Sequence, residues 1–448
     1  MVLDPDEARR AQSLTAPDHQ AQVRKAVLAS IVGTSIEWYD FFLYGTAAAI
    51  VFPHVFFPDS SAYSGTLESF ATYAVGFAAR PVGAAIFGHW GDRLGRKAML
   101  IITLLMMGVA SALVGVLPGT TSIGIAAPIL LVVLRLLQGV AVGGEWSGSV
   151  LLSMEWGDQR RRGLMASWPQ IGVPVGLLLG TGAMTAIALS APAAFANWAW
   201  RIPFLASLIL VAIGLWVRLR VLESPMFARV VEQGRVARVP VLEVIRRHPR
   251  EIVLSALVRL SEQAPFYILT SFALTYIHED LGKSQGLALL AVSAAGAVEL
   301  VAIPLFGNLS DRVGRKKVYG WGAVAMAVVA FPYFALVNTG LAVVIVLTVA
   351  VVQIAHSMQY GPQAALIAEN FPTGLRFGGS GLGYQLASVV AGGPAPLIAT
   401  WLLHDFGWQA ISVYVILTAV VTLVAVVLLP DRSAADITES ASFARASS

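Results

Sequence analysis

Gly88-His89-Trp90-Gly91-Asp92-Arg93-Leu94-Gly95-Arg96-Lys97 returns as Gly307-Asn308-Leu309-Ser310-Asp311-Arg312-Val313-Gly314-Arg315-Lys316, with Gly307 lying 219 positions beyond Gly88. The offset is about half of the 448-residue chain, and the first and last glycines, the Asp-Arg pair and the Arg-Lys pair are kept. A second pair of segments repeats the message. Glu155 through Arg162 to Gly163 resembles Glu369 through Arg376 to Gly378. Each copy of the first segment follows the second long apolar run of its half, and each copy of the second follows the fourth. The chain therefore reads as a duplicated unit of six apolar segments.

The residues between the repeats suit lipid. Apolar residues make up 57% and charged residues 12% of the chain, against about 45–50% and about 25% in soluble domains. A soluble chain could not cover so much apolar surface. A helical span needs about 20 mostly apolar residues. Twelve such stretches are expected, near 26–50, 67–88, 98–117, 125–153, 164–189, 202–218, 252–277, 286–306, 318–337, 341–368, 380–403 and 408–429. The basic residues check this count, because cytoplasmic loops are rich in Lys and Arg. With the N-terminus inside, 25 of the 30 basic residues fall in inside segments. Arg201 and Lys283 fall outside, and Arg80, Arg135 and Arg259 lie within spans.

The expected fold is thus an all-α membrane protein, twelve transmembrane helices in two pseudo-symmetric six-helix bundles. The expected organisation is a cytoplasmic N-terminal tail (1–24), a first bundle (25–218), a cytoplasmic linker (219–251), a second bundle (252–430) and a cytoplasmic tail (431–448). The polar first 24 residues lack the apolar core of a signal peptide. The first span is therefore expected to stay as an anchor, and the small, polar last stretch reads as a mobile tail.

Several function classes drop out. The chain has no cysteine, which excludes disulfides and thiol chemistry. No two of its seven histidines are four apart, so a helical two-histidine metal site is not expected. No G-x-x-x-x-G-K-[ST] or H-E-x-x-H motif occurs, which argues against an ATP-driven permease and against a zinc-dependent membrane hydrolase. No cofactor, metal or nucleic acid is expected.

The duplicated G-x-x-x-D-R-x-G-R-[RK] segment resembles the signature of the major facilitator superfamily. Arg135-Leu136-Leu137-Gln138-Gly139 with Gly143-Gly144-Glu145, Trp200-Arg201-Ile202-Pro203-Phe204 and Glu223-Ser224-Pro225 extend the likeness. Ile36-Glu37-Trp38-Tyr39-Asp40-Phe41-Phe42-Leu43-Tyr44-Gly45 and Arg80-Pro81-Val82-Gly83 resemble the metabolite:proton symporters within it. The likeness covers roughly 24–430. It implies a proton-coupled symporter of a small polar metabolite, an organic acid or alternatively a zwitterionic solute such as a betaine. It implies alternating access in the inner (plasma) membrane of a bacterium, and a monomer whose partners are substrate, protons and the lipid bilayer. A pore is the alternative of another class.

Candidate residues follow from charge and from the resemblance. Charged groups inside a bilayer are costly and usually mark substrate or proton paths. Glu37 and Asp40 lie one turn apart in the first span, with Arg135 and Glu145 in the fourth, and these four are expected to couple protons. A static Asp40–Arg135 bridge and an anchoring role for Glu145 are the bland alternatives. Helices 1, 4, 7 and 10 line the central cavity in the family. Arg80, Tyr44, Gln170, Gln263, His356 and Gln359 are the candidates for substrate binding. Arg259 with Glu262 reads as structural, and Glu299 is a further charge within the spans. Trp38, Tyr39 or Trp168 could supply an aromatic box for a quaternary ammonium. The resemblance assigns gating to Gly88, Asp92, Arg93, Arg96, Glu155, Arg162, Gly307, Asp311, Arg312, Arg315, Glu369 and Arg376. Ser310, standing where the first copy has Gly91, is expected to loosen helix packing slightly.

Overall fold

The computed structural model describes residues 15–224, 226–227 and 240–433. Most of the expected tails and the middle of the linker lie outside these residues. Among the described residues, twelve helices are long and apolar enough to cross a membrane. In chain order they are α1 (Ala16–Ala48), α2 (Leu67–Leu94), α3 (Arg96–Val116), α4 (Ala126–Trp156), α5 (Gln159–Ala188) and α6 (Asn197–Leu219). The second half comprises α7 (Pro249–Asp280), α8 (Gln285–Val313), α9 (Arg315–Val337), α10 (Ala342–Ala368), α11 (Thr373–Phe406) and α12 (Trp408–Leu428).

Most of the helices exceed the apolar runs that announced them. α1 starts ten residues before the expected 26, because Thr15 caps it by accepting from the Asp18 N–H and Pro17 fits its first turn. The repeated signature is not a loop. Gly88 to Leu94 is the last two turns of α2, and the chain reverses at Gly95 with φ 106°. Gly314 does the same after α8 with φ 111°. Only glycine adopts these angles readily, and a Cβ on Gly95 would stand 2.1 Å from the Glu223 carboxylate.

Two glycine seams pull the first bundle together. A Cβ on Gly139 would lie 2.2 Å from the Gly76 carbonyl oxygen, and one on Gly143 2.1 Å from that of Arg80. α2 and α4 therefore cross with backbones in contact, as small residues allow in lipid. Gly172, Gly176 and Gly180 of α5 seat in the same way against Thr34, Trp38 and Tyr39 of α1.

Breaks in α5 and α7 bear on the core. α5 breaks at Ile171, since Pro174 has no N–H to give the Gln170 carbonyl. α7 breaks at Arg259 and carries wide π turns at Ile268–Phe272 and Tyr276–Asp280. Such turns frequently sit at functional sites. Thr422 of α12 supports the α7 break, its hydroxyl accepting from the Ser261 N–H and lying 3.0 Å from the Val258 carbonyl.

Candidate functional site

Four helix ends meet on the face that carries the signature turns, and each half caps the other. Asp92, in the last turn of α2, accepts from the backbone N–H groups of Phe377 and Gly378 at 3.2 and 2.9 Å, in the first turns of α11. Asp311, at the end of α8, accepts from those of Gly163 and Leu164 at 2.8 and 2.9 Å, near the start of α5. A carboxylate at a helix N-terminus satisfies orphan donors and meets the positive end of the helix dipole.

Behind each aspartate runs a chain of charges. Arg96 lies 3.7 Å from Asp92 and 3.5 Å from Glu155, and Glu155 lies 3.4 Å from Arg376 of the other half. Arg315 lies 2.8 Å from Asp311 and from Glu369, and Glu369 lies 3.0 Å from Arg162 of the first half. The two chains are pseudo-symmetric copies. Gly88 and Gly307 let the halves touch, their missing side chains standing 2.6 Å from Gly378 Cα and 2.5 Å from Ser167 Oγ. Arg93 and Arg312 stay outside the network. Both are exposed, and among the described residues Arg93 meets His89 and the ring of Trp90.

Ser310 does not loosen the second copy. It is buried and accepts from Arg315, and the residue facing it is Gly163, whose Cβ would lie 2.5 Å from its hydroxyl. In the first copy Gly91 faces Phe377. Small and large have exchanged sides, and the contact stays close.

The first bundle encloses a cavity lined by Glu37, Asp40, Arg80, Arg135 and Gln138 among others. All four charged residues are at most 4% exposed. The alternative of a static Asp40–Arg135 bridge is not realised. Asp40 Oδ1 accepts from Ser207 of α6 at 2.6 Å, and its Oδ2 has no hydrogen-bond partner among the described residues. Arg135 donates to Gln138 at 3.2 Å and stacks 4.3 Å over the Tyr44 ring. The Tyr44 hydroxyl pairs with Thr72 at 2.7 Å. Arg80 stacks over Phe77 and Phe41 at 4.4 and 4.9 Å. Glu37 Oε2 is buried without a partner among the described residues. Two acids and two guanidinium groups thus share one cavity with no ion pair between them.

Glu145 stands apart from this set. Arg218, at the end of α6, donates to it, and Thr103 and Ser149 donate at 2.8 and 3.0 Å. Arg218, the last residue of the expected first bundle, is buried and also donates to the Leu100 carbonyl. Gly33 opens the way, since a Cβ there would lie inside the Arg218 guanidinium. The geometry is that of a fixed anchor joining α4 and α6. Removing one partner of a buried pair costs about 3–5 kcal/mol. Arg218→Met is therefore expected to lower the melting temperature of the purified protein by several degrees, and adding Glu145→Gln to recover part of the loss. Equal melting temperatures for wild type and Arg218→Met would show the pair to be dispensable.

A second cavity is lined by Trp38, Val173, Arg259, Glu262, Gln263, Phe266, Tyr267, His356, Tyr360 and Tyr384. Arg259 lies 3.2 Å from Glu262, donates to the Tyr384 carbonyl and stacks on its ring. His356 faces Glu299 through Nδ1 at 2.6 Å and Glu262 through Nε2 at 3.4 Å. Gln263 donates to Ser388 at 3.0 Å and keeps its carbonyl oxygen without a partner among the described residues. Gln170 accepts from Trp146 and reaches the Tyr360 carbonyl at 3.5 Å, bridging the halves. Gln359 lies off the cavity, against Gly322 and Ser261. Of the expected aromatic residues Trp38 lines this cavity, whereas Tyr39 turns to α6 and donates to the Pro203 carbonyl. Phe266, Tyr267, Tyr360 and Tyr384 supply the other rings.

Sequence reading missed Ser207, Arg218, Ser224 and the bridging role of Glu299. Ser224 donates to Glu155, and the neighbouring Glu223 accepts from the Lys97 N–H at 3.2 Å. Burial there pushes the Glu223 carboxyl above its ordinary range, against the pull of the Ser224 N–H and Arg96. Glu223-Ser224 was visible as a motif, but which turn it would reach was not.

Two six-helix halves, cross-capped at one face and holding buried charges in their core, define a secondary carrier. The first half, residues 25–239, matches the sugar (and other) transporter family profile, and residues 254–446 match that of the major facilitator superfamily. The shikimate transporter of Escherichia coli (strain K12) is 42% identical over 421 residues, spanning 93% of this chain and 96% of that protein. The inner membrane metabolite transport protein YhjE of the same strain is 37% identical over 430 residues, spanning 92% and 97%. The proline/betaine transporter of that strain is 31% identical over 423 residues, spanning 92% and 84%. The proton:xylose symporter XylE bound to 6-bromo-6-deoxy-D-glucose shares the fold with a TM-score of 0.76 at 19% identity, covering 94% of this chain and 98% of its own. The chain belongs to the major facilitator superfamily, a multi-pass membrane transporter rather than an enzyme.

Proposed function

We propose that the protein is a proton-coupled symporter of a small organic acid, working by alternating access in a bacterial inner membrane. One observation carries this reading. Asp40 and Glu37 share a buried cavity with Arg80 and Arg135, yet no ion pair ties them. Isolated charges are costly there, so a site of this kind suits groups that are neutralised in turn. A proton neutralises Asp40, and a substrate carboxylate forks onto Arg80 or Arg135. The shikimate transporter, at 42% identity, supports a carboxylate cargo. A zwitterionic solute is the second reading, supported by the proline/betaine transporter and by the ring-lined second cavity.

The experiment is uptake into proteoliposomes with an acidic exterior, using labelled shikimate and labelled glycine betaine. Accumulation of shikimate above its external concentration, abolished by a protonophore, is expected. Equilibration without accumulation would mean a facilitator, and accumulation of betaine alone would replace the organic-acid reading.

In this reading both termini and the face of the signature turns are cytoplasmic. Because the chain has no cysteine, Ser61→Cys is expected to react with an impermeant thiol reagent in intact cells and Ser433→Cys to stay unlabelled. The reverse pattern would invert the topology.

The structure is closed at the signature face, and the cross-capping aspartates hold it so. A cap of this kind is worth about 0.5–2 kcal/mol, which alters the closed-to-open ratio by roughly 2–30-fold. Asp92→Asn and Asp311→Asn are each expected to shift the distance distribution between spin labels across that face toward longer values. An unchanged distribution would leave the two residues a packing role only.

A further inference from the structure

The second bundle holds a set of charges that the reading above does not use. His356 of α10 presents Nδ1 to Glu299 of α8 and Nε2 to Glu262 of α7, at 2.6 and 3.4 Å. All three side chains are at most 3% exposed. A neutral imidazole has one N–H, so it can donate into one of these gaps only. Filling both takes two protons on the Glu299–His356–Glu262 set. With one proton fewer, a nitrogen lone pair faces a carboxylate, and burial makes that arrangement costly.

The other groups around His356 do not fill the gap. Arg259 lies on the far side of Glu262 at 3.2 Å and is spread over the ring of Tyr384. Gln363 donates to Glu262 at 2.8 Å and to the Tyr319 hydroxyl of α9 at 3.1 Å. Tyr360 stacks on the imidazole, with ring centres 5.2 Å apart. The helices of the first bundle that border the cavity bring Trp38 and Val173, neither of them charged.

The placement suits exchange. Glu262, Arg259 and His356 line the second cavity, whereas Glu299 is no part of its lining. The outer gap, between Nε2 and Glu262, is the longer, and the inner gap is short. The set also touches the moving parts of a two-bundle carrier. Tyr384, under Arg259, stacks on Trp146 of the first bundle with ring centres 3.6 Å apart and planes 17° from parallel. α7 itself breaks at Arg259.

We propose that Glu299, His356 and Glu262 form a second proton site, which holds two protons while the signature face is closed and gives one up when it opens. The proton that leaves is the one between Nε2 and Glu262, and it passes to water in the cavity. The proton between Nδ1 and Glu299 stays. With two protons these residues and Arg259 sum to zero charge, and with one they carry a single negative charge. That change loosens α7 from α10 next to the Tyr384–Trp146 contact. The proton coupled to the cargo remains the one on Asp40, and this second proton tracks the opening of the signature face. The inference rests on the proton-coupled reading, but its test needs no substrate.

The full chain in proteoliposomes on a sensor membrane is stepped from acidic to neutral pH with no solute present, and the displaced charge is read. Asp40→Asn is expected to keep about half of the wild-type displacement. Adding His356→Gln to Asp40→Asn is expected to remove the rest, down to protein-free liposomes. Glu299→Gln serves where His356→Gln fails to fold. Its amide donates to Nδ1, so a neutral imidazole satisfies both neighbours with one proton and has none to give. A residual displacement that survives in either double variant would overturn the proposal and place the proton on Glu37. Complete loss in Asp40→Asn alone would overturn it as well. Full wild-type displacement in Asp40→Asn would instead reject the role of Asp40, and Glu299→Gln alone would then decide the second site.

Discussion

Asp40→Asn is expected to abolish uphill accumulation in proteoliposomes while leaving counterflow exchange at a measurable fraction of wild type. Asparagine keeps the size of the side chain and an oxygen for the Ser207 hydroxyl, which Asp40 accepts at 2.6 Å. Packing should therefore survive. What is lost is the ability to alternate between a neutral and a charged form. Burial favours the neutral carboxyl and an approaching guanidinium favours the carboxylate. Arg135 lines the same cavity without being paired to Asp40, so the halves can bring the two together in one state and part them in another. A permanently neutral side chain breaks the link between proton and cargo but not the movement of the halves. Accumulation by this variant at the wild-type level would refute the assignment and pass the role to Glu37.

Arg80→Gln is expected to raise the half-saturating concentration for an organic acid about 10- to 100-fold. The Arg80 guanidinium rests on the faces of Phe77 and Phe41 and has no carboxylate partner among the described residues. A hydrogen bond to a charged group is worth about 1.5–3 kcal/mol, which matches that range. Arg80→Lys keeps the charge but loses the planar fork and the ring stacking, so it should recover only part of the affinity. A half-saturating concentration unchanged in Arg80→Gln, with turnover intact, would move the carboxylate anchor to Arg135 or Arg259.

The fold was legible in sequence because duplication, apolar run length and loop charge each report it independently. The equivalence of the two charge clusters at the signature face was legible for the same reason. Asp92 and Asp311 are equivalent positions, and so are Glu155 and Glu369, so each network implied the other. The partners of buried charges were much less so. Helical spacing shows which residues share a face, but not which neighbouring helix arrives there. Asp40 and Arg135 both lie in spans, but nothing in the sequence shows that Ser207 of α6 is the group that reaches Asp40. Glu145 read as a coupling residue because Arg218 sits at the edge of an apolar run and looked like loop charge. The room that Gly33 leaves for that pair has no signature of its own. Ser310 misled for a related reason. A departure from the repeat on one side is balanced by Gly163 on the other, and only the packed interface shows both.

The central claim is that an acid-bearing solute and a proton move together through the Asp40 cavity. The most direct measurement is proton entry caused by substrate. Proteoliposomes carrying an entrapped pH indicator are held at equal pH on both sides with potassium and valinomycin present, and shikimate is added outside. Internal acidification that follows added solute in wild type and vanishes in Asp40→Asn is the expected result. Labelled shikimate entering wild-type proteoliposomes with no change in internal pH would contradict it.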